Sequence, residues 1–288
     1  MNFSVSTTLR RQTGLTLVEL MVALAIGSFL MIGAVQVYSQ SRQAFVVNES
    51  IARVQETAQF AMDTIESDLR MASNWGRNSR GLAVEGRSIV GDADPTGLEP
   101  PTECGADWAL DLATPIDGTD NSYGLSCAPT AAAGPAQLNS DVITVRRTSV
   151  APVALEPGRI QVQTTRIQGE LFKDGAVPSS FSAADSATHN LRVNSYYVAQ
   201  NSELIPGSPT LRRKTLTVRS GAPFIADEEV APGVENIQIQ LGVDVDGDNT
   251  VDRYVNPGDP IYDPNAATGY VPGARVMTAR VWMVVRGI

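Results

Sequence analysis

The chain of 288 residues carries 22 basic against 31 acidic side chains, one histidine and two cysteines, for a formal net charge of −9. That balance excludes a general nucleic-acid binder, which needs a basic footprint; two cysteines exclude a four-cysteine zinc site, and the lone His189 leaves little for a histidine-based site. The apolar fraction of 43% is that of a folded chain, yet all 17 prolines lie at Pro95 or later, so two kinds of structure are joined.

The N-terminus is polar, with Arg10 and Arg11 and no acid before Glu19. Then follows an apolar run, Leu15 to Val35, close to the ~20 residues needed to cross a bilayer core. Two arginines precede it and the next is Arg42, which keeps the N-terminus cytoplasmic by the positive-inside rule. A secretory signal peptide is the competing reading, but no small-x-small site follows the run and Gln36–Gln40 leads on into helix. Glu19 is out of place in a spanning segment, where a carboxylate costs ~2.5–3.5 kcal/mol on insertion scales. Near the membrane surface it would simply snorkel. Gly14 points elsewhere: a cut after it gives Leu15 a positive amine one helical turn from Glu19. Amine and carboxylate then neutralise each other within a chain or between neighbours.

Gly14-Leu-Thr-Leu-Val-Glu-Leu20 resembles the prepilin-type cleavage and methylation motif of type IV pilins and type II secretion pseudopilins. The resemblance implies that residues 1–14 are a leader, removed after Gly14 by a prepilin peptidase of the inner membrane. It implies that Leu15 becomes the methylated N-terminus, and that Glu19 pairs with the amine of an adjoining subunit during assembly. Two positions depart from the common pattern: Leu15 stands where most major pilins have phenylalanine, and Gln36 where many have a kinking proline. Gly27 and Gly33 are then the weak points of the membrane helix.

Val47, Ile51, Val54, Ala58, Ala61, Ile65 and Leu69 recur at steps of three and four, one apolar stripe on a helix. Arg42, Glu49, Arg53, Glu56, Asp63, Glu66, Asp68 and Arg70 are assigned to the other faces. A two-chain coiled coil explains this half but not the membrane half. The reading is one helix over residues 15–74, spanning the membrane over 15–38 and continuing amphipathically to back a head. The roughly 58 residues from Leu15 to about Ala72, which hold no proline, would span ~87 Å at 1.5 Å per residue.

From residue 75 to 288 short β-type runs are broken by Gly, Pro, Asn and Asp. Expected strands are Leu82–Val84, Val142–Arg147, Ile160–Thr164, Ser195–Ala199, Thr215–Val218, Ile237–Leu241 and Val276–Val285. The last, with Val276, Thr278, Arg280, Trp282 and Val284 alternating against Met277, Ala279, Val281, Met283 and Val285, reads as largely buried on both faces. The fold class is α+β, a long N-terminal helix packed on an antiparallel β-sheet head. His189, in the polar segment Ala187–Asn190, reads as a surface residue, without a serine elbow or metal spacing around it.

Cys104 and Cys127 fall in a Gly/Pro/Asp-rich insertion, Gly91 to Pro135, with little periodicity. A periplasmic head permits a disulfide between them, against the alternative of two buried thiols. In Asp244-Val-Asp246-Gly-Asp248-Asn-Thr-Val-Asp252 the aspartates at relative places 1, 3, 5 and 9 resemble a calcium loop. The match is partial, since glycine sits at place 4 and Val255 at place 12; an acidic hairpin turn is the alternative. Asp259 and Asp263 are candidates for the same surface.

The leader motif, Glu56–Arg70 and Gly233–Asp248 together resemble the PilW family of minor pilins, whereas residues 77–232 resemble nothing known to us. That likeness implies a non-enzymatic minor pilin of a type IV pilus, single-pass in the inner membrane with a periplasmic head. It implies assembly with other minor pilins and the major pilin into a priming complex at the pilus tip that holds a PilY-type adhesin. No nucleic-acid binding by this subunit is expected, and no cofactor beyond a candidate Ca2+. The rivals are a J-type pseudopilin of type II secretion and a membrane-anchored enzyme.

Overall fold

The computed structural model describes residues 14, 16–88, 97–100, 104–105 and 107–287. The chain forms two compact units, residues 1–52 and residues 53–288. The helix α1, Leu17–Arg70, is 54 residues long and crosses that division. Thr16 and Glu19 start it as a capping box: the Thr16 hydroxyl accepts from the Glu19 N–H at 3.3 Å, and Glu19 Oε2 accepts from the Thr16 N–H at 3.3 Å. The helix continues unbroken through Gly27 and Gly33. At its other end Met71 and Ala72 donate to the carbonyls of Asp68 and Leu69, and Ser73 turns to φ 63°, which ends the helix.

In the first unit the side chains of α1 are exposed all round, including Phe29, Leu30 and Met31. The apolar window there has a mean hydropathy of 2.2 and none of it is buried. Among the described residues this is the one helix long and apolar enough to cross a membrane.

In the second unit the stripe meets the head. Val54 and Ala58 are half-buried, and Ala61 and Ile65 are fully buried. The head is built on a mostly antiparallel sheet whose central strand is the long β6, Ala187–Ala199. Beside it run β3, Val142–Thr148, β4, Gln161–Thr164, and β7, Thr210–Arg219, all antiparallel to it. Outside these lie β2, Ile116–Thr119, on β3, and β8, Ala222–Pro232, on β7; β5, Gly169–Phe172, pairs β4 and takes the short parallel β1, Val84–Glu85. A second sheet has β9, Val234–Asp244, between β10, Arg253–Val255, and β11, Arg275–Val285.

Alternation along β6 divides the core. Tyr196 and Val198 join Ala61 and Ile65 of the helix and Ile237, Ile239 and Leu241 of β9. Leu191 and Val193 point the other way, onto Trp75, Trp108, Leu110 and Leu112.

Four expectations change. Strand β11 is not buried on both faces: it pairs with β9 along one edge, half-buries Val281, Met283 and Val285, and leaves Trp282 and Val284 exposed. Only one face has a core to pack on, so the second apolar row stays outside. Leu82 lies in a 3-10 turn, Gly81–Ala83, with its side chain exposed, and the strand begins only at Val84. His189 is not on the surface. It is 3% exposed within β6, donates from Nδ1 to the Ser149 carbonyl at 2.7 Å, and lies under Gly76, where an added Cβ would come within 2.7 Å of its ring. Finally, the insertion around the cysteines is not structureless: it supplies β2 and core side chains including Trp108, Leu110 and Leu112.

Candidate functional site

At the N-terminus Gly14 has no neighbour within 4 Å of an added Cβ. Leu15 and the leader before Gly14 lie outside the described residues. Glu19 is exposed, and Thr16 Oγ1 donates to its Oε2 at 3.2 Å in addition to the N–H of the capping box. Its carboxylate therefore sits at the helix N-terminus, where unsatisfied N–H groups and the helix dipole favour a negative charge. Threonine followed three residues later by glutamate is the sequence signature of such a cap, which the reading of Glu19 as an assembly carboxylate passed over.

The residue that fastens helix to head is Asp68, which the stripe pattern assigns to an outer face. It is 3% exposed. Arg147 of β3 donates from Nε and Nη2 to Oδ1 at 2.8 and 2.5 Å, while Asn194 Nδ2 and the Tyr196 hydroxyl donate to Oδ2 at 2.5 and 2.6 Å. Burial, with the adjacent Asp68 charge, raises the Tyr196 phenol well above its usual range. A carboxylate one step from the apolar Leu69 is the position where a stripe turns inward, but its partners come from strands remote in sequence.

Cys104 and Cys127 form a disulfide with Cα atoms 4.4 Å apart. The segment it closes docks on the sheet through polar bonds. The Tyr123 hydroxyl donates to the Cys127 carbonyl at 2.7 Å, Lys214 Nζ to the Ala128 carbonyl at 2.7 Å, and the Thr130 N–H to Asp227 at 2.9 Å. Asp227 also accepts from Arg212 at 2.9 Å and from Tyr197. Burial pushes its carboxyl up, but Arg212, the Thr130 N–H and Lys214 together hold it below the usual carboxylate range.

The aspartate loop is the turn of the β9–β10 hairpin, with Arg253 opposite Val243. Carboxylate oxygens of Asp244, Asp246 and Asp252 lie within 4.8 Å of one another. Asp248 is not in that group, because its Oδ1 accepts from the N–H and hydroxyl of Thr250 at 2.7 and 2.6 Å. The buried Asp244 accepts from the N–H groups of Gly247 and Asn249, and Arg275 Nη2 donates to its Oδ2 at 2.9 Å. Although burial opposes it, these donors hold the Asp244 carboxyl below its ordinary value. Asp259 and Asp263 serve elsewhere: Asp259 caps the 3-10 turn Pro260–Tyr262, and Asp263 accepts from Thr114 and from the Asn265 N–H.

Residues 9–35 match the Prokaryotic N-terminal methylation motif, and residues 195–288 match the family described as Type IV Pilus-assembly protein W. The first match spans Gly14, Leu15 and Glu19; the second runs from the end of β6 through β11 and includes the aspartate loop. No curated protein and no solved structure matches the chain.

Proposed function

From a chain of the type IV pilus-assembly protein W kind that carries a prepilin-type methylation motif, we propose a minor pilin that prepilin peptidase cuts after Gly14 and methylates at Leu15. The head, residues 75–288, stands in the periplasm, and the first part of α1 anchors the subunit in the inner membrane. After cutting, the Leu15 amine and Glu19 of adjoining subunits neutralise each other, which lets the apolar helices bundle as the subunit leaves the membrane. The observation that carries this reading is Glu19 itself: it is the one carboxylate of the apolar segment, held at the first turn of α1, within the matched motif. A disulfide in the head agrees with an oxidising compartment.

The subunit assembles with other minor pilins and the major pilin into a priming complex at the pilus tip, where a PilY-type adhesin is held. Its role is structural rather than enzymatic. The rival is a J-type pseudopilin. Co-isolation from cells decides between them: recovery with PilY-type adhesin and minor pilins supports the pilus role, and recovery with secretion-system pseudopilins overturns it.

For the hairpin loop we keep calcium as the proposed ligand, on Asp244, Asp246 and Asp252. The convergence of three carboxylates supports it. The guanidinium of Arg275 already neutralises part of this charge, so the ion binds by displacing Arg275 from Asp244.

A further inference from the structure

Where α1 ends and the chain turns back toward β1, residues 72–80 and the β4–β5 turn line an open surface cleft of about 670 Å³. Its lining includes Arg77, Arg80 and Arg166 and no acidic residue, in a chain whose net charge is −9. Arg77 is fixed by donating from Nη1 to the Asp185 carbonyl at 2.8 Å. Arg80 and Arg166 are exposed, and among the described residues neither guanidinium group has a carboxylate or carbonyl partner. Three guanidinium groups gathered without counter-charge repel one another, and nothing in the fold requires them together.

The wall itself is rigid. The Ser73 hydroxyl donates to the Ser79 carbonyl at 2.9 Å, the Trp75 N–H donates to the Asn78 carbonyl at 2.9 Å, and Thr148 of β3 donates to the Asn74 carbonyl. Within this turn two buried donors, Trp75 Nε1 and Asn78 Nδ2, have no acceptor. Of the two, Asn78 belongs to the lining of the cleft.

We infer that this cleft binds a polyvalent oxyanion of the phosphate-ester or pyrophosphate class through Arg77, Arg80 and Arg166. The planar fork of each guanidinium donates two parallel hydrogen bonds to such a group. The volume falls in the range of small-molecule sites, which leaves room for the organic part of a phosphate ester. Two sources offer this chemistry, a soluble phosphate compound and a phospholipid headgroup.

Isothermal titration of the full chain in non-ionic detergent tests the inference, with inorganic pyrophosphate as one probe and dihexanoylphosphatidylglycerol below its micelle concentration as the other. One-to-one binding of a probe is expected, weakened at least about 10-fold by the double substitution Arg80→Gln/Arg166→Gln and unchanged by Arg253→Gln on β10. Both exchanged arginines are exposed, so circular dichroism and melting temperature should match the parent chain. Binding of pyrophosphate alone assigns a soluble source, and binding of the lipid assigns a headgroup. Absence of binding by both probes overturns the site, as does binding that survives the double substitution intact.

Discussion

Glu19 and Asp68 are both carboxylates on α1 and do opposite things with their charge. Asp68 spends all its acceptor capacity inside the head, on Arg147, Asn194 and Tyr196. Replacing it by alanine leaves the Arg147 guanidinium buried without a counter-charge, and the expected loss is about 3 kcal/mol of stability in chemical denaturation. Glu19 keeps its carboxylate exposed. Glu19→Ala should be cut normally, since the peptidase reads Gly14, but should fail to enter pili; immunoblots of sheared pili and of membranes measure the two steps. Normal piliation by that variant would remove the assembly role.

Asp227 gives the head its acid limit. Its folded pKa is below the ordinary 3.8, so its contribution is complete above that value and is lost as pH falls below it. Asp117 works in the other direction: burial raises its folded pKa, so its contribution weakens as pH rises from 3.8 through the raised value. Asp227→Asn should therefore destabilise the head near neutrality, by about 3 kcal/mol for a broken buried pair, and flatten its acid unfolding below pH 4. Thermal melts across pH for both proteins measure this.

Each element was legible in proportion to how local its signal is. The helix could be read from residue spacing, because the members of its stripe lie within a few residues of one another. Strands β3 and β9 could be read from alternation. The full length of β6 could not, since Thr188 and His189 are polar yet buried where β4 pairs beside them. The same physics hid Asp68, whose partners are 79 to 128 positions away. Composition misled on β11, where apolar residues on both rows meet a core on one side only. In the insertion, disulfide pairing was legible from compartment and count, but the packing of Trp108 and Leu110 was not.

The disulfide staples that insertion to the sheet. Cys104→Ser/Cys127→Ser should lower stability by about 3 kcal/mol in the loop-entropy picture. At the hairpin, calcium in the millimolar range should raise the melting temperature of the chain, and Asp246→Asn should abolish the shift. Absence of any shift would leave Asp244 and Arg275 as an ion pair that closes the turn and nothing more.

For the molecule as a whole, the absence of proline before Pro95 marks the boundary between an anchor and a head. The apolar part of α1, up to residue 38, shows apolar side chains on every face and a charge only at Glu19. The head holds its charges in paired networks and presents a guanidinium-lined cleft where α1 ends. The proposed cut after Gly14 would remove Arg10 and Arg11 and leave 20 basic against 31 acidic side chains. An acidic head on an apolar anchor suits a subunit that is soluble outside the membrane and leaves it only in company, when its terminal amine has met a glutamate.

The pilin assignment turns on where the mature chain begins. N-terminal sequencing with mass spectrometry of the protein isolated from membranes should find a methylated Leu15 as the first residue, and a Gly14→Trp substitution should leave the leader attached. A mature protein that retains Met1, or that begins beyond the apolar run as a secreted protein would, contradicts the pilin assignment outright.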